Sequence, residues 1–175
     1  MSLEAVATAR QRATSVFARK PSAGLRDDSP AVTRWTGGMR CVSVHPTGRE
    51  VATDMPSEMG GTGDEVTPGW LFRAGLASCA ATTYAAFAAS EGIELTLIEV
   101  RVESRSDARG FLGMTEADGR PVSPAPRALR MHVRIAARGL EPESLRAFVE
   151  RAHRCSPVPA AIGAGTPLAL EIEIA

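Results

Sequence analysis

The chain has 175 residues, 44% of them hydrophobic and 23% charged, and at roughly 100 to 200 residues per domain it is one domain with at most a short appendage. That composition excludes a wholly disordered, collagen-like or disulfide-scaffold protein. Twenty basic side chains balance twenty acidic ones, so the basic excess of a nucleic-acid-binding surface is missing and nucleic acid is not an expected partner.

In chain order, residues 3–19 set Leu3, Val6, Ala7, Ala13, Val16 and Phe17 at a loose helical period that ends before Pro21. Residues 20–30, KPSAGLRDDSP, collect turn formers without a packing period and read as a linker. Residues 1–30 are therefore an N-terminal helix and linker, and the folded body, 31–175, begins near Ala31. Residues 31–54 predict an antiparallel meander: AVTRW, a turn at 36–38, RCVSVH, a second turn at 46–48, and REVATD. Residues 55–67 form a polar loop whose Gly60, Gly61 and Gly63 point to close backbone packing or positive φ. A phosphate cradle is not favoured, because the GK[ST] ending of a P-loop is missing.

Thr67 followed by Pro68 is an N-cap with proline at the first helical position, opening a helix from 68 to about 90. Its small residues Ala74, Gly75, Ala77, Ser78, Ala80 and Ala81 let neighbours approach the backbone, which makes it the central helix. Residues 74–90 carry no charge, yet they are too few and too weakly apolar for a membrane span. Gly92 ends this helix, and residues 93–103 alternate apolar and polar as a half-buried strand. A turn-rich segment precedes ALRMHVRIAA, a second long strand with Leu129, Met131, Val133 and Ile135 on one side. Residues 141–155 form a helix stopped by Pro157, and LALEIEI gives a last strand. This order of elements indicates an α+β domain rather than a doubly wound one.

Cys41, Cys79 and Cys155 form no CxxC pair, and with no secretory signal legible a reducing, cytoplasmic setting is expected. Cys79 lies about three turns into the central helix, where a cysteine is ordinarily an inert core residue. Cys155 closes the second helix just ahead of Ser156 and Pro157, where a chain reversal can aim its sulfur into a cleft. Two such thiols can react in sequence: a thiolate attacks a peroxide oxygen, becomes a sulfenic acid, and is resolved as a disulfide by the second thiol. The attacking thiolate needs a nearby cation or a helix N-terminus. Arg34, Arg40 and Arg73 are the candidate cations, each otherwise a solvated surface charge. Arg73 falls on the wrong face of Cys79's own helix, whereas Arg40 opens a strand after Gly37 and Gly38 and can cross beneath it. His153 and Cys155 do not share a helix face, and His45 and His132 sit in separate strands, so no metal site is expected. No GxSxG elbow occurs for Ser-His-Asp hydrolysis.

The run DMPSEMGGTGDEVTPGWLFRAGLASCAATTY, then GIELTLIEVRVES, then DARGFLG, and finally the helix ending RAHRCSPV resemble the OsmC/Ohr family of thiol-dependent hydroperoxide reductases, from residue 32 onward. The resemblance implies antiparallel sheets packed around the Cys-bearing helix, an intertwined homodimer with sites at the subunit interface, Cys79 as the peroxidatic and Cys155 as the resolving thiol, and no bound cofactor. It departs from the family pattern in two places. Active members carry a glutamate directly after the helix-opening proline, where Gly69 stands here. Their activating arginine follows a Gly-Gly turn directly, where Met39 intervenes before Arg40, and a one-residue slip reverses a strand side chain's face. Asp64 and Glu65, in the loop before the helix, are candidates for the missing carboxylate, and Glu65 is taken as the site residue. The expected function is reduction of organic hydroperoxides in oxidative stress defence, with a small dithiol or lipoyl-type protein as reductant. The alternative is a non-peroxidatic relative that binds a small apolar ligand in the same cleft.

Overall fold

The period of residues 3–19 is realised as helix α1 (Leu3–Arg19) in the computed structural model, which describes residues 3–174. The chain divides into two units, Met1–Gly75 and Leu76–Ala175. In the first, α1 buries none of its residues. The predicted meander follows as β1 (Val32–Gly37), β2 (Arg40–Val44) and β3 (Glu50–Thr53), antiparallel and in that spatial order. Val42 sits opposite both Arg34 and Ala52. The β1–β2 turn runs through Gly37 and Gly38, both at positive φ, a conformation that costs glycine nothing. The Trp35 indole N–H closes this turn on the Gly38 carbonyl at 2.9 Å. No apolar side chain among the described residues of this unit is buried; its buried positions are Thr53 and Asp54.

Helix α2 (Pro68–Ser90) starts as expected, with Trp70 N–H donating to the Thr67 hydroxyl at 3.1 Å. It ends where Gly92, in the left-handed region, lets Ile93 N–H reach back to the Ala88 carbonyl at 2.9 Å, a Schellman-type stop. No helix among the described residues is long and apolar enough to cross a membrane.

In the second unit, Leu76, Ala80, Tyr84 and Ala88, spaced by four, form the buried stripe of α2. They face the long antiparallel hairpin of β4 (Leu95–Arg105) and β5 (Arg127–Ala137), which pairs Ile98 with Ile135, Val100 with Val133 and Val102 with Met131. The short helix α3 (Ala108–Phe111) lies in their connection, its first turn capped by the Asp107 carboxylate. Leu145, Phe148 and Ala152 of α4 (Pro142–His153) complete the core with Ala80, Tyr84 and Ala88. The architecture is α+β with antiparallel sheets and a Cys-bearing helix in the core, as expected.

Two elements differ from the sequence reading. Helix α4 ends at His153, and Pro157 opens a further helix, α5 (Pro157–Ala164), in which prolines occupy the first turn where their missing N–H groups are free of cost. The alternating tail LALEIEI forms no strand: Leu168, Leu170, Ile172 and Ile174 are 96%, 83%, 75% and 88% exposed. A strand needs a neighbouring edge to complete its hydrogen bonds, and the tail pairs with neither sheet.

Candidate active site

Arg40 opens β2 and is fixed by acids rather than left in solvent. Its Nη2 donates to Thr62 Oγ1 at 2.9 Å and to Asp54 Oδ2 at 3.3 Å, and it makes a short ion pair with Asp64. Asp54 follows β3 directly and its side chain is 2% exposed. Its carboxylate accepts from Met55 N–H at 2.7 Å, from Thr62 N–H at 3.1 Å and from the Thr62 hydroxyl at 2.7 Å. The Thr62 hydroxyl and N–H, then Met55 N–H and Arg40, hold the Asp54 carboxyl down at about 2 against an opposing burial effect. Asp64 is lowered as well, first by Arg40 and then by Thr62, and the Arg40 guanidinium is raised in return. The loop folds this tightly because residue 61 is glycine: a Cβ there would lie 1.8 Å from the Met55 carbonyl oxygen. Glu65 is exposed and, among the described residues, makes no hydrogen bond or ion pair; Asp64 holds the arginine instead.

The second group gathers around Cys79, which is half-buried one turn beyond Leu76 on α2. Its Sγ accepts from the Ser156 hydroxyl and from Val158 N–H, each at 3.4 Å. Val158 is in the first turn of α5, whose leading N–H groups have no partner within the helix. Ser156 is fully buried and makes no side-chain cap to that helix, so its hydroxyl serves the sulfur. Both donors can stay in place when the sulfur becomes anionic, the state a nucleophile needs. Cys155, adjacent to Ser156, lies in the bend between α4 and α5 and is exposed. The bend therefore carries one thiol on its surface and offers its next residue to the other. All three cysteines are free, and Cys41 sits opposite Trp35 and Thr53 in the meander.

A third feature lies beside the second. Tyr84, fully buried on α2, shares a 2.8 Å hydrogen bond with His153 Nδ1 at the end of α4. His153 and Leu76 help to line a cavity of about 140 Å³, walled also by Val102, Leu129, Met131 and Ile162.

Asp54, Thr62, Ser156 and Val158 were not singled out from the sequence. A signal for the last two was present: Ser156 before Pro157 is a helix-start signature, and a new helix there presents free N–H groups to whatever packs on its first turn. Reading Pro157 only as a stop concealed it.

The model of a family described as OsmC-like protein matches residues 61–171, more than half of the chain. No curated protein matches it. Among solved structures, an OsmC-like protein from Mycoplasma pneumoniae superposes with a TM-score of 0.64 at 13% identity, covering 79% of this chain and 89% of that one. An organic hydroperoxide resistance protein from Legionella pneumophila gives 0.54 at 23% identity, over 78% of this chain and 91% of that one. Another from Elizabethkingia anophelis gives 0.52 at 20% identity, over 79% and 89%. At these identities the likeness is one of fold.

Proposed function

This chain belongs to the OsmC-like protein family, and on that premise we propose that it is a thiol-dependent peroxidase that reduces organic hydroperoxides. Cys79 attacks the distal peroxide oxygen and Cys155 resolves the resulting sulfenic acid as a disulfide. One observation carries the reading: Ser156, the chain neighbour of Cys155, hydrogen-bonds the Cys79 sulfur, so the bend bearing the second thiol is already seated on the first. Arg40 is the activating cation in this reading, held by Asp54 and Asp64 rather than by the carboxylate that Gly69 replaces. Glu65 drops out of that role. A dithiol or lipoyl-type protein in the cytoplasm returns the disulfide to thiols, and the working form is a homodimer.

The test is consumption of tert-butyl hydroperoxide with dithiol present and absent. Wild type turns over with the dithiol, and Cys79→Ser consumes nothing. Without dithiol, Cys155→Ser consumes one equivalent and leaves a sulfenic acid on Cys79 that dimedone labels, where wild type leaves a disulfide that it does not, while Cys41→Ser retains activity. Arg40→Ala lowers the rate by about 100-fold, the scale on which a lost charge-stabilising contact slows such a step. Stoichiometric consumption by Cys79→Ser, or an inert wild type that still binds hydrophobic hydroperoxides, would favour the ligand-binding alternative, which the apolar cavity beside Leu76 and His153 would serve.

A further inference from the structure

A phenol hydroxyl sealed from water needs a hydrogen-bond partner, and for fully buried Tyr84 that partner is His153 Nδ1 at 2.8 Å. A hydroxyl that donates to Nδ1 leaves the proton of the neutral imidazole on Nε2. The His153 side chain makes no other hydrogen bond among the described residues, and it lines, with Arg130 as the other polar residue, the otherwise apolar cavity of about 140 Å³; Arg130 is itself exposed on β5. That cavity and the nucleophile flank the same turn of chain. Leu76, in its wall, is one turn ahead of Cys79; Pro159, also in its wall, follows Val158, whose N–H meets the Cys79 sulfur.

We propose that His153 is a catalytic residue of the peroxide reaction, its Nε2–H donating to the oxygen that departs as an alkoxide, and that Tyr84 is the positioning residue that fixes this donating tautomer. The proposal rests on the reading of Cys79 as the peroxidatic thiol. In the step, the Cys79 thiolate forms a bond to the distal oxygen of RO–OH and the O–O bond breaks. The sulfur is oxidised by two electrons to a sulfenic acid, the distal oxygen keeping its hydrogen, and the peroxide is reduced. The proximal oxygen leaves as RO⁻ and takes its proton from water. A neutral imidazole N–H aimed at that oxygen stabilises the charge as it develops, without itself being deprotonated.

The leaving group supplies the test. An alkoxide from tert-butyl hydroperoxide needs this donor, whereas the acetate leaving from peroxyacetic acid scarcely does. In single-turnover oxidation of the full-length protein, His153→Phe is expected to slow the tert-butyl hydroperoxide reaction about 100-fold and the peroxyacetic acid reaction less than about 3-fold, the usual margin of a non-essential contact. His153→Gln, whose amide N–H can occupy the position of Nε2, recovers part of the loss. Tyr84→Phe slows the alkyl hydroperoxide alone, by about 10-fold, as expected of one neutral hydrogen bond. Equal losses with both oxidants, or no loss with either, overturn the assignment; the peroxyacetic acid rate also reports whether each variant is folded. A wild-type protein inert to both oxidants defeats the peroxidase reading itself, an outcome distinct from active wild type with unaffected variants.

Discussion

Asp54 shows how much one side chain organises at the residue scale. Four donors converge on its carboxylate, and they favour the ionised form in the folded state relative to the ordinary value of 3.8. A carboxyl whose folded value is depressed stabilises the fold above its unfolded value, and that stability is lost as pH falls through the folded one. Stability should therefore decline as pH drops from about 4 toward about 2, with Asp64 adding in the same direction. Asp54→Asn should lose stability at neutral pH and show a shallower decline across this window, measured by urea unfolding at several pH values. Strain appears at a different residue. Ala128, early in β5, is the one non-glycine at positive φ among the described residues, and the left-handed region costs an L-residue about 1 to 2 kcal/mol. Set against the roughly 0.4 to 1 kcal/mol that glycine gains in the unfolded chain, Ala128→Gly should raise stability by a net of about 0.5 kcal/mol, moving the thermal midpoint up by roughly 1 to 2 °C. Neither residue was legible in advance. An aspartate after a strand is usually a turn residue, and an alanine carries no mark of its φ. Cys79 and Cys155 were legible because their chemistry is written in residue type and in the helix ends around them.

Among the elements, the α4–α5 junction does most for the site. Proline was read as ending one helix when it also began the next, an ambiguity intrinsic to a residue that is unfavourable inside a helix and favourable at its start. The hidden helix places the Ser156 hydroxyl and Val158 N–H on the Cys79 sulfur. Ser156→Ala should slow alkylation of Cys79 by iodoacetamide about 10-fold, as loss of one hydrogen bond to a developing charge predicts, with circular dichroism unchanged; an unaltered alkylation rate would show that the hydroxyl has no influence on the nucleophile. Most other elements follow their patterns closely. The period-two runs became the β4–β5 hairpin, and Thr67 with Pro68 opened α2 as written. The exception is the tail, whose alternation is as regular as that of β5 but which finds no edge to join.

At the scale of the whole molecule, that tail and the two small sheets point to an incomplete set of partners. A two-stranded hairpin is marginal by itself, and β4–β5 leaves both of its outer edges unpaired among the described residues. Large aliphatic side chains at every second position of residues 168–174, all exposed, are the pattern of a segment that adds to such an edge. The proposed homodimer would supply a second copy of this chain as the occupant, and on that proposal light scattering should give twice the 18.4 kDa of one chain at micromolar concentration. Leu170→Asp combined with Ile172→Asp should return the mass to that of a monomer; a wild-type mass of one chain would remove the homodimer. The first unit carries the same lesson further. With no buried apolar side chain among its described residues, the segment up to Gly75 has little free energy of its own with which to hold β1–β3. Val32, Trp35 and Val51 stay uncovered with the whole chain present, so the meander is the part of the molecule expected to open first, and limited proteolysis should cut within residues 32–53 before it cuts the β4–β5 hairpin.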